Sequence, residues 1–216
     1  MLKFIQELNM CFRFITYNKF KEEKWEDLSP EERLETYQKL ERIQAKKLGR
    51  PAYTISPNYS WGEQINGECS ARYKTIQINQ RFLYEPELRF LGMMTIFHEG
   101  RHAFQYESCF GENEPSRFSR AYKWKRNFEG YINGLTDQYS FYSMQPVELD
   151  ANKYAINRML DFSHRYRYEP LYHRTLNYKE NALENAKFDA RKELGIFYKW
   201  KVARRTKRER EKNGMD

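Results

Sequence analysis

A chain of 216 residues can bury one real core, and 40% hydrophobic with 17% aromatic residues excludes a disordered or low-complexity polypeptide. No stretch approaches the ~20 apolar residues of a membrane span, and the opening MLKFIQELNMCFRF, broken by Gln6, Glu7, Asn9 and Arg13 with no small-residue cleavage site after it, is not expected to act as a signal peptide. Three scattered cysteines, Cys11, Cys69 and Cys109, form no C-x-x-C pair, which points to free thiols in a reducing cytoplasm and away from a cysteine-held metal.

Residues 1–20 carry apolar side chains at roughly helical spacing. Ser29-Pro30-Glu31-Glu32 then announces a helix: serine as N-cap, proline at the first helical position, and Glu32 to complete a capping box. Leu34, Tyr37, Leu40, Ile43 and Leu48 form its apolar stripe, and Gly49 with Pro51 ends it, so the expected helix covers about 30–48. Residues 1–50 are therefore expected to form an N-terminal helical segment.

From 50 to 80 the pattern changes. Pro51, Pro57, Asn58, Gly62, Asn66 and Gly67 mark turns, and strand-like segments lie at 52–55 and 69–79. The clearest is Thr75-Ile76-Gln77-Ile78-Asn79, which alternates with period two. Pro86 opens a helix expected over about 86–108 and apolar nearly all round through Leu88, Phe90, Leu91, Met93, Met94, Ile96 and Phe97, hence buried. A tyrosine-rich connection over 111–144 follows. Pro146 starts a helix of about 146–160, and the remainder from 175 to 212 reads as one or two charged helices. The fold class expected is α+β, mainly helical, with a small sheet.

Near the end of the apolar helix stands His98-Glu99-Gly100-Arg101-His102, an H-E-x-x-H pattern. Residues four apart share a helix face, so the two imidazoles can reach one ion at ~2.0–2.1 Å. Glu99 is rotated off that line, badly placed as a ligand but able to act as a general base on water. Two histidines and a carboxylate in so apolar a helix are costly without a purpose. The plain alternative is two histidines that satisfy each other by hydrogen bonds.

Zinc, the expected single cofactor, needs a third protein ligand and an open position. Candidates are Glu107, Glu112, Glu114, Glu129, Asp137, Glu148, Asp150, His164 and His173. Glu148 is preferred because it lies in the first turn of the 146–160 helix with Ala151 and Ala155 on its face, which permits close helix approach; Asp150 is the fallback. An acid there also simply complements the helix dipole. Asn152, one turn on, is the candidate for orienting a ligand histidine.

His98-Glu99-x-x-His102 followed by Glu148-x-x-Ala151-Asn152-x-x-Ala155 resembles the gluzincin zinc peptidases, in particular their compact cytoplasmic members that cleave repressor proteins. The resemblance covers roughly 70–160. Arg101 departs from it, since a small or apolar residue is usual beside the second histidine, and Asn152 stands where Asp is commoner. It implies a zincin-like catalytic domain, expected over 51–175, with Thr75–Asn79 as the edge strand before the metal helix; the charge pattern, not the resemblance, marks 176–216 as a charged C-terminal helical extension with a basic tail. The resemblance also implies peptide hydrolysis: zinc activates water, Glu99 removes its proton, and a further donor stabilises the oxyanion. Tyr139 and Tyr142 are the preferred donors, from a set that also holds Tyr131, His164 and His173. A protein or peptide substrate is expected to lie extended along Ile76, Gln77 and Ile78 by main-chain hydrogen bonds.

Two other readings compete. One is a module on the same frame that binds zinc without turnover, disfavoured by the presence of Glu99. The other rests on the net charge of +8 and on residues 199–212, with eight Lys or Arg against two Glu. That basic tail is either a solvated helix end or an electrostatic patch for nucleic acid or an acidic partner.

Overall fold

The computed structural model describes residues 13–111, 115–134 and 139–215. Cys11, Glu112, Glu114 and Asp137, named above, lie outside the described residues. The described chain is mainly helical with one three-stranded sheet, and it groups into two units, residues 1–104 and 105–216. Among the described residues no helix is long and apolar enough to cross a membrane.

In the first unit, α1 (Glu22–Glu26) precedes α2 (Pro30–Leu48). The capping box forms as expected: Ser29 Oγ accepts from the Glu32 amide at 3.2 Å, and Glu32 Oε2 accepts from the Ser29 amide at 2.9 Å. Gly49 ends α2 in the left-handed region, at φ 68°, where a β-carbon would be strained. Behind α2 the rings of Phe20 and Trp25 stack at 4.9 Å, and Trp25 meets Tyr37 edge-on at 5.1 Å. These rings are buried and anchor the unit's core.

Strands β1 (Thr54–Asn58), β2 (Gly67–Ser70) and β3 (Thr75–Asn79) form a mixed sheet in the order β1-β3-β2. β3 runs parallel to β1 and antiparallel to β2. The expectation that Thr75–Asn79 is an edge strand is therefore corrected. It is the middle strand, its backbone taken on both sides, and Ile76 and Ile78 are buried. The alternation of TIQIN reports a half-buried strand but carries no information on which neighbours it pairs with.

The outer edge of β1 is covered by side chains of α2. Gln38 Nε2 donates to the Tyr53 carbonyl at 2.9 Å, Gln38 Oε1 accepts from the Ile55 amide at 2.8 Å, and Glu41 Oε1 accepts from the Tyr53 amide at 2.9 Å. β2 has no second strand partner among the described residues. The Asn79 amide donates to the Asn66 carbonyl at 2.9 Å, so alternate pairs Glu68–Gln77 and Ser70–Thr75 exchange bonds with β3. The backbone groups of Gly67 and Cys69 consequently point to the open side.

After α3 (Arg81–Tyr84) and a single 3-10 turn (Pro86–Leu88), the chain enters α4 (Arg89–Phe110), the expected apolar helix, with Met93, Ile96, Phe97 and Ala103 buried. The second unit continues with α5 (Arg120–Glu129), α6 (Tyr139–Ser143), α7 (Pro146–Arg165), α8 (Glu169–Leu194) and α9 (Tyr198–Lys212). The connection over 111–144 thus contains helical segments of its own. Met144, Ala190, Leu194, Tyr198 and Val202 form a small core there, and α7 lies along α8.

Candidate metal centre

The centre begins with the register of α4. His98 and His102, one turn apart, bring their Nε2 atoms to 3.0 Å, a hydrogen bond between the two rings of the kind the plain alternative expects. The rings meet nearly edge-on, at 80° with centroids 4.6 Å apart. Ligands of a tetrahedral ion with arms of 2.0–2.1 Å stand about 3.3 Å apart, so the pair is close to coordinating separation. The remainder of α4 holds these rings in place, since Ile96, Phe97 and Ala103 are buried around them and His102 itself is 9% exposed.

α4 is clamped from behind at Gly100, inside the motif. Arg50 Nε donates to the Gly100 carbonyl at 3.1 Å, while its guanidinium forms a buried two-point pair with Glu41 at 2.6 and 2.9 Å. A β-carbon at residue 100 would stand 2.8 Å from Arg50 Nη2 and 3.1 Å from Glu41 Oε2. Glycine is thus the residue that lets the Glu41–Arg50 pair reach α4. Arg101, the departure noted in the sequence, is largely buried and lays its guanidinium over the Phe104 ring at 4.5 Å.

Glu99 is buried where β2 crosses α4. A β-carbon on Gly67 would meet Glu99 Cγ at 3.1 Å and Thr95 Cγ2 at 2.5 Å, so the strand passes directly over the general-base candidate. Cys69, two residues along, faces the same way. Burial pushes its thiol well above the usual range, and the Glu99 carboxylate adds to the shift. The shift disfavours the thiolate form.

Glu148 sits in the first turn of α7, fully buried. A polar network fixes that turn. Gln145 Oε1 accepts from Asn127 Nδ2 and from the Ile132 amide, at 2.9 and 2.8 Å, and Gln145 Nε2 donates to the Ile132 carbonyl at 2.9 Å. Asn127 Oδ1 in turn accepts from the Val147 amide at 3.1 Å, satisfying one of the helix's initial donors. From the last turns of α4, Gln105 Nε2 donates to the Val147 carbonyl at 3.0 Å and to Asp150 Oδ2 at 2.9 Å, on either side of Glu148. Asp150 is thereby engaged elsewhere.

His98, His102 and Glu148 each offer one ligand atom, and these atoms lie within 4.8 Å of one another. Among the described residues this group can hold a metal ion. Two imidazole nitrogens and one carboxylate oxygen suit a borderline-soft divalent cation, and three protein ligands leave a further position open. Of the remaining candidate ligands, His164 and His173 are exposed. Asn152 is half-buried one turn past Glu148 and forms no side-chain hydrogen bond among the described residues.

The tyrosines rank differently from the sequence reading. Tyr131 Oη donates to Glu148 Oε1 at 2.6 Å. Burial, followed by the adjacent carboxylate, raises its hydroxyl far above the ordinary phenol range, so it stays a donor. Tyr142 contacts Tyr131 ring to ring at 6.2 Å, and Tyr139, 69% exposed, lies against the Tyr142 ring at 5.9 Å. Sequence reasoning placed Tyr131 in the set but had no signal to prefer it, because it lies in a non-helical connection with no periodicity. The clamp of Glu41 and Arg50 was not read from sequence at all; Glu41 sits inside α2 and Arg50 just past its end, and neither carries a local signal of the pairing. Comparison with protein families, with curated proteins and with solved structures finds no match for this chain.

Proposed function

We propose that this protein is a zinc-dependent peptidase of the gluzincin kind, with His98, His102 and Glu148 as the metal ligands and Glu99 as general base. The observation that carries the reading is the convergence of the three ligand atoms within 4.8 Å, from residues the motif and the second helix nominated. The donor set fits: two neutral imidazoles and a buried carboxylate held by a tyrosine hydroxyl match a catalytic zinc site with one position open. A zinc ion held there would supply Lewis acidity, acidifying water and polarising a peptide carbonyl.

The chain's own residues supply the rest. Glu99, one position on from His98 and sheltered under β2, takes the proton of the attacking water and passes it to the leaving amine. Tyr131 orients Glu148, and the clamp at Gly100 fixes the helix that carries both histidines and the base. The substrate strand pairs with the open edge of β2, through the backbone of Gly67 and Cys69, which places it beside Glu99. This replaces the expected role of Ile76, Gln77 and Ile78.

The test combines elemental analysis with a peptide-library cleavage assay. Wild type should contain one zinc per chain and cleave. Glu99→Gln should keep the metal and lose hydrolysis, while His98→Ala and His102→Ala should lose the metal. Wild type purified with zinc available but carrying none ends the proposal; zinc bound without cleavage of any library member leaves a binding module in its place.

A further inference from the structure

The second unit holds 22 of the chain's 38 Lys and Arg but only 16 of its 30 Asp and Glu, so most of the net charge of +8 resides there. α9 concentrates it. One face of this helix is buried through Tyr198, Val202 and Arg210 against the rest of the unit. It packs on α5 and α8, and Asn213 Nδ2 bonds the Glu129 carbonyl at 3.1 Å. The basic segment is therefore a docked helix with a fixed outward face, not a loose tail.

That outward face follows from the 3.6-residue period. Trp200, Lys201, Arg204, Lys207 and Arg208 fall within about 120° of arc opposite the buried stripe. Trp200 is 57% exposed and carries the Arg204 guanidinium over its ring at 5.1 Å. Phe197, just before the helix, is also exposed. Glu209 and Glu211, the helix's acids, are taken by Arg205, Lys207 and Lys212 at 3.0–3.4 Å. Lys199, Lys201, Arg204 and Arg208 have no acidic partner among the described residues. On neighbouring α5, Lys123 and Arg126 are exposed as well.

We infer that the outward face of α9 binds single-stranded nucleic acid, with Lys201, Arg204 and Arg208 on backbone phosphates and Trp200 as the platform for a base. Cations repeating each turn, about 5–6 Å apart along the axis, meet successive phosphates of an extended strand. An exposed indole among cations serves no acidic peptide, whose side chains do not stack, but suits every base. This inference is independent of the metal centre.

The test uses the full chain and a fluorescein-labelled oligo-dT of twenty residues, titrated at several salt concentrations. Engagement of three to four phosphates predicts a log–log salt slope of about −2 to −3. The triple reversal Lys201→Glu, Arg204→Glu, Arg208→Glu should abolish binding, and Trp200→Ala should weaken it about tenfold or more. These positions are exposed, so circular dichroism should stay unchanged. An equal charge reversal on the exposed face of α2, at Arg42, Lys46 and Lys47, should reduce affinity far less. The inference is overturned if that control loses as much as the α9 triple, or if the α9 triple still binds. It is also overturned if poly-glutamate competes as well as the oligonucleotide with Trp200→Ala silent, the outcome of an acidic protein partner. A duplex of the same sequence bound as tightly as the single strand removes the stacking role and overturns it too.

Discussion

Replacing Arg50 with methionine tests whether the helix carrying the histidines is held by the buried pair behind it. Arg50 makes four hydrogen bonds: two to Glu41, at 2.6 and 2.9 Å, one to the Gly100 carbonyl at 3.1 Å and one to the Pro51 carbonyl at 2.8 Å. Methionine keeps much of the volume and removes them all. Glu41 is then left as a buried carboxylate whose remaining donor here is the Tyr53 amide. Breaking a buried pair by removing one partner costs about 3–5 kcal/mol. At ~2–4 °C per kcal/mol for a chain of this size, Tm should fall by roughly 6–20 °C. The assay is a thermal melt by circular dichroism with a chelator present, so that metal binding does not enter the comparison. The double variant Glu41→Leu with Arg50→Met should lose less than the single, because no buried charge is stranded, although Gly100, Pro51 and Tyr53 still lose partners. Lys39→Met, which breaks the exposed pair with Glu35 on the same helix, should leave Tm unchanged. An Arg50→Met protein melting within about 3 °C of wild type, or a double variant worse than the single, refutes the clamp.

Three further outcomes follow from the site. Tyr131→Phe should weaken zinc binding about 10- to 100-fold in competition with a chromophoric chelator, as expected when a group orienting a ligand is lost, while Glu148→Ala should remove tight binding and Tyr139→Phe should have no effect. Gly67→Ala should destabilise by about 1–3 kcal/mol in urea, and Thr95→Ser, which deletes the methyl standing 2.5 Å from the new β-carbon, should recover part of the loss. Cys109, whose thiol donates to the Ala121 carbonyl at 3.1 Å, is pushed up to about 12 by burial, so at pH 8 only ~10⁻⁴ of it is thiolate. Cys69 is shifted in the same direction. Mass mapping after iodoacetamide treatment of the native protein at pH 8 should find Cys109 unmodified and the half-buried Cys69 slow to react; labelling of Cys109 within minutes contradicts its burial.

Helix limits were the most legible part of the sequence because they are written locally. Ser29, Pro30, Glu32 and Gly49 bracket α2 at 30–48 as expected, and Pro146 opens the helix that carries Glu148. The metal helix starts at Arg89 rather than at Pro86, since that proline nucleates only a 3-10 turn. The grouping of His98, His102 and Glu148, which could hold a metal ion, was legible for the same reason, as a face shared at i, i+4 and a first-turn acid beside small residues. What escaped is tertiary. Strand order depends on partners distant in sequence, and the period-two alternation of Thr75–Asn79 is the same for a middle strand as for an edge. Tyr131 was indistinguishable from Tyr139 and Tyr142 until the packing of the connection set its hydroxyl on Glu148.

The open edge lies at β2 rather than β3, which changes where the proposed substrate strand could pair. β3 is paired on both sides and has no free edge among the described residues. β2 is short, begins with a glycine that lets it lie on α4, and turns the backbone of Gly67 and Cys69 outward. On the proposed function, a peptide paired there would run alongside the helix turn that holds Thr95 and Glu99, and the glycine that allows close strand-to-helix packing would also set the distance between substrate and base. The Gly67→Ala variant therefore reads two things at once. If its stability loss is recovered by Thr95→Ser but peptide cleavage is not, strand placement over Glu99 governs turnover. If cleavage returns in step with stability, β2 serves the fold alone, and the substrate lies elsewhere.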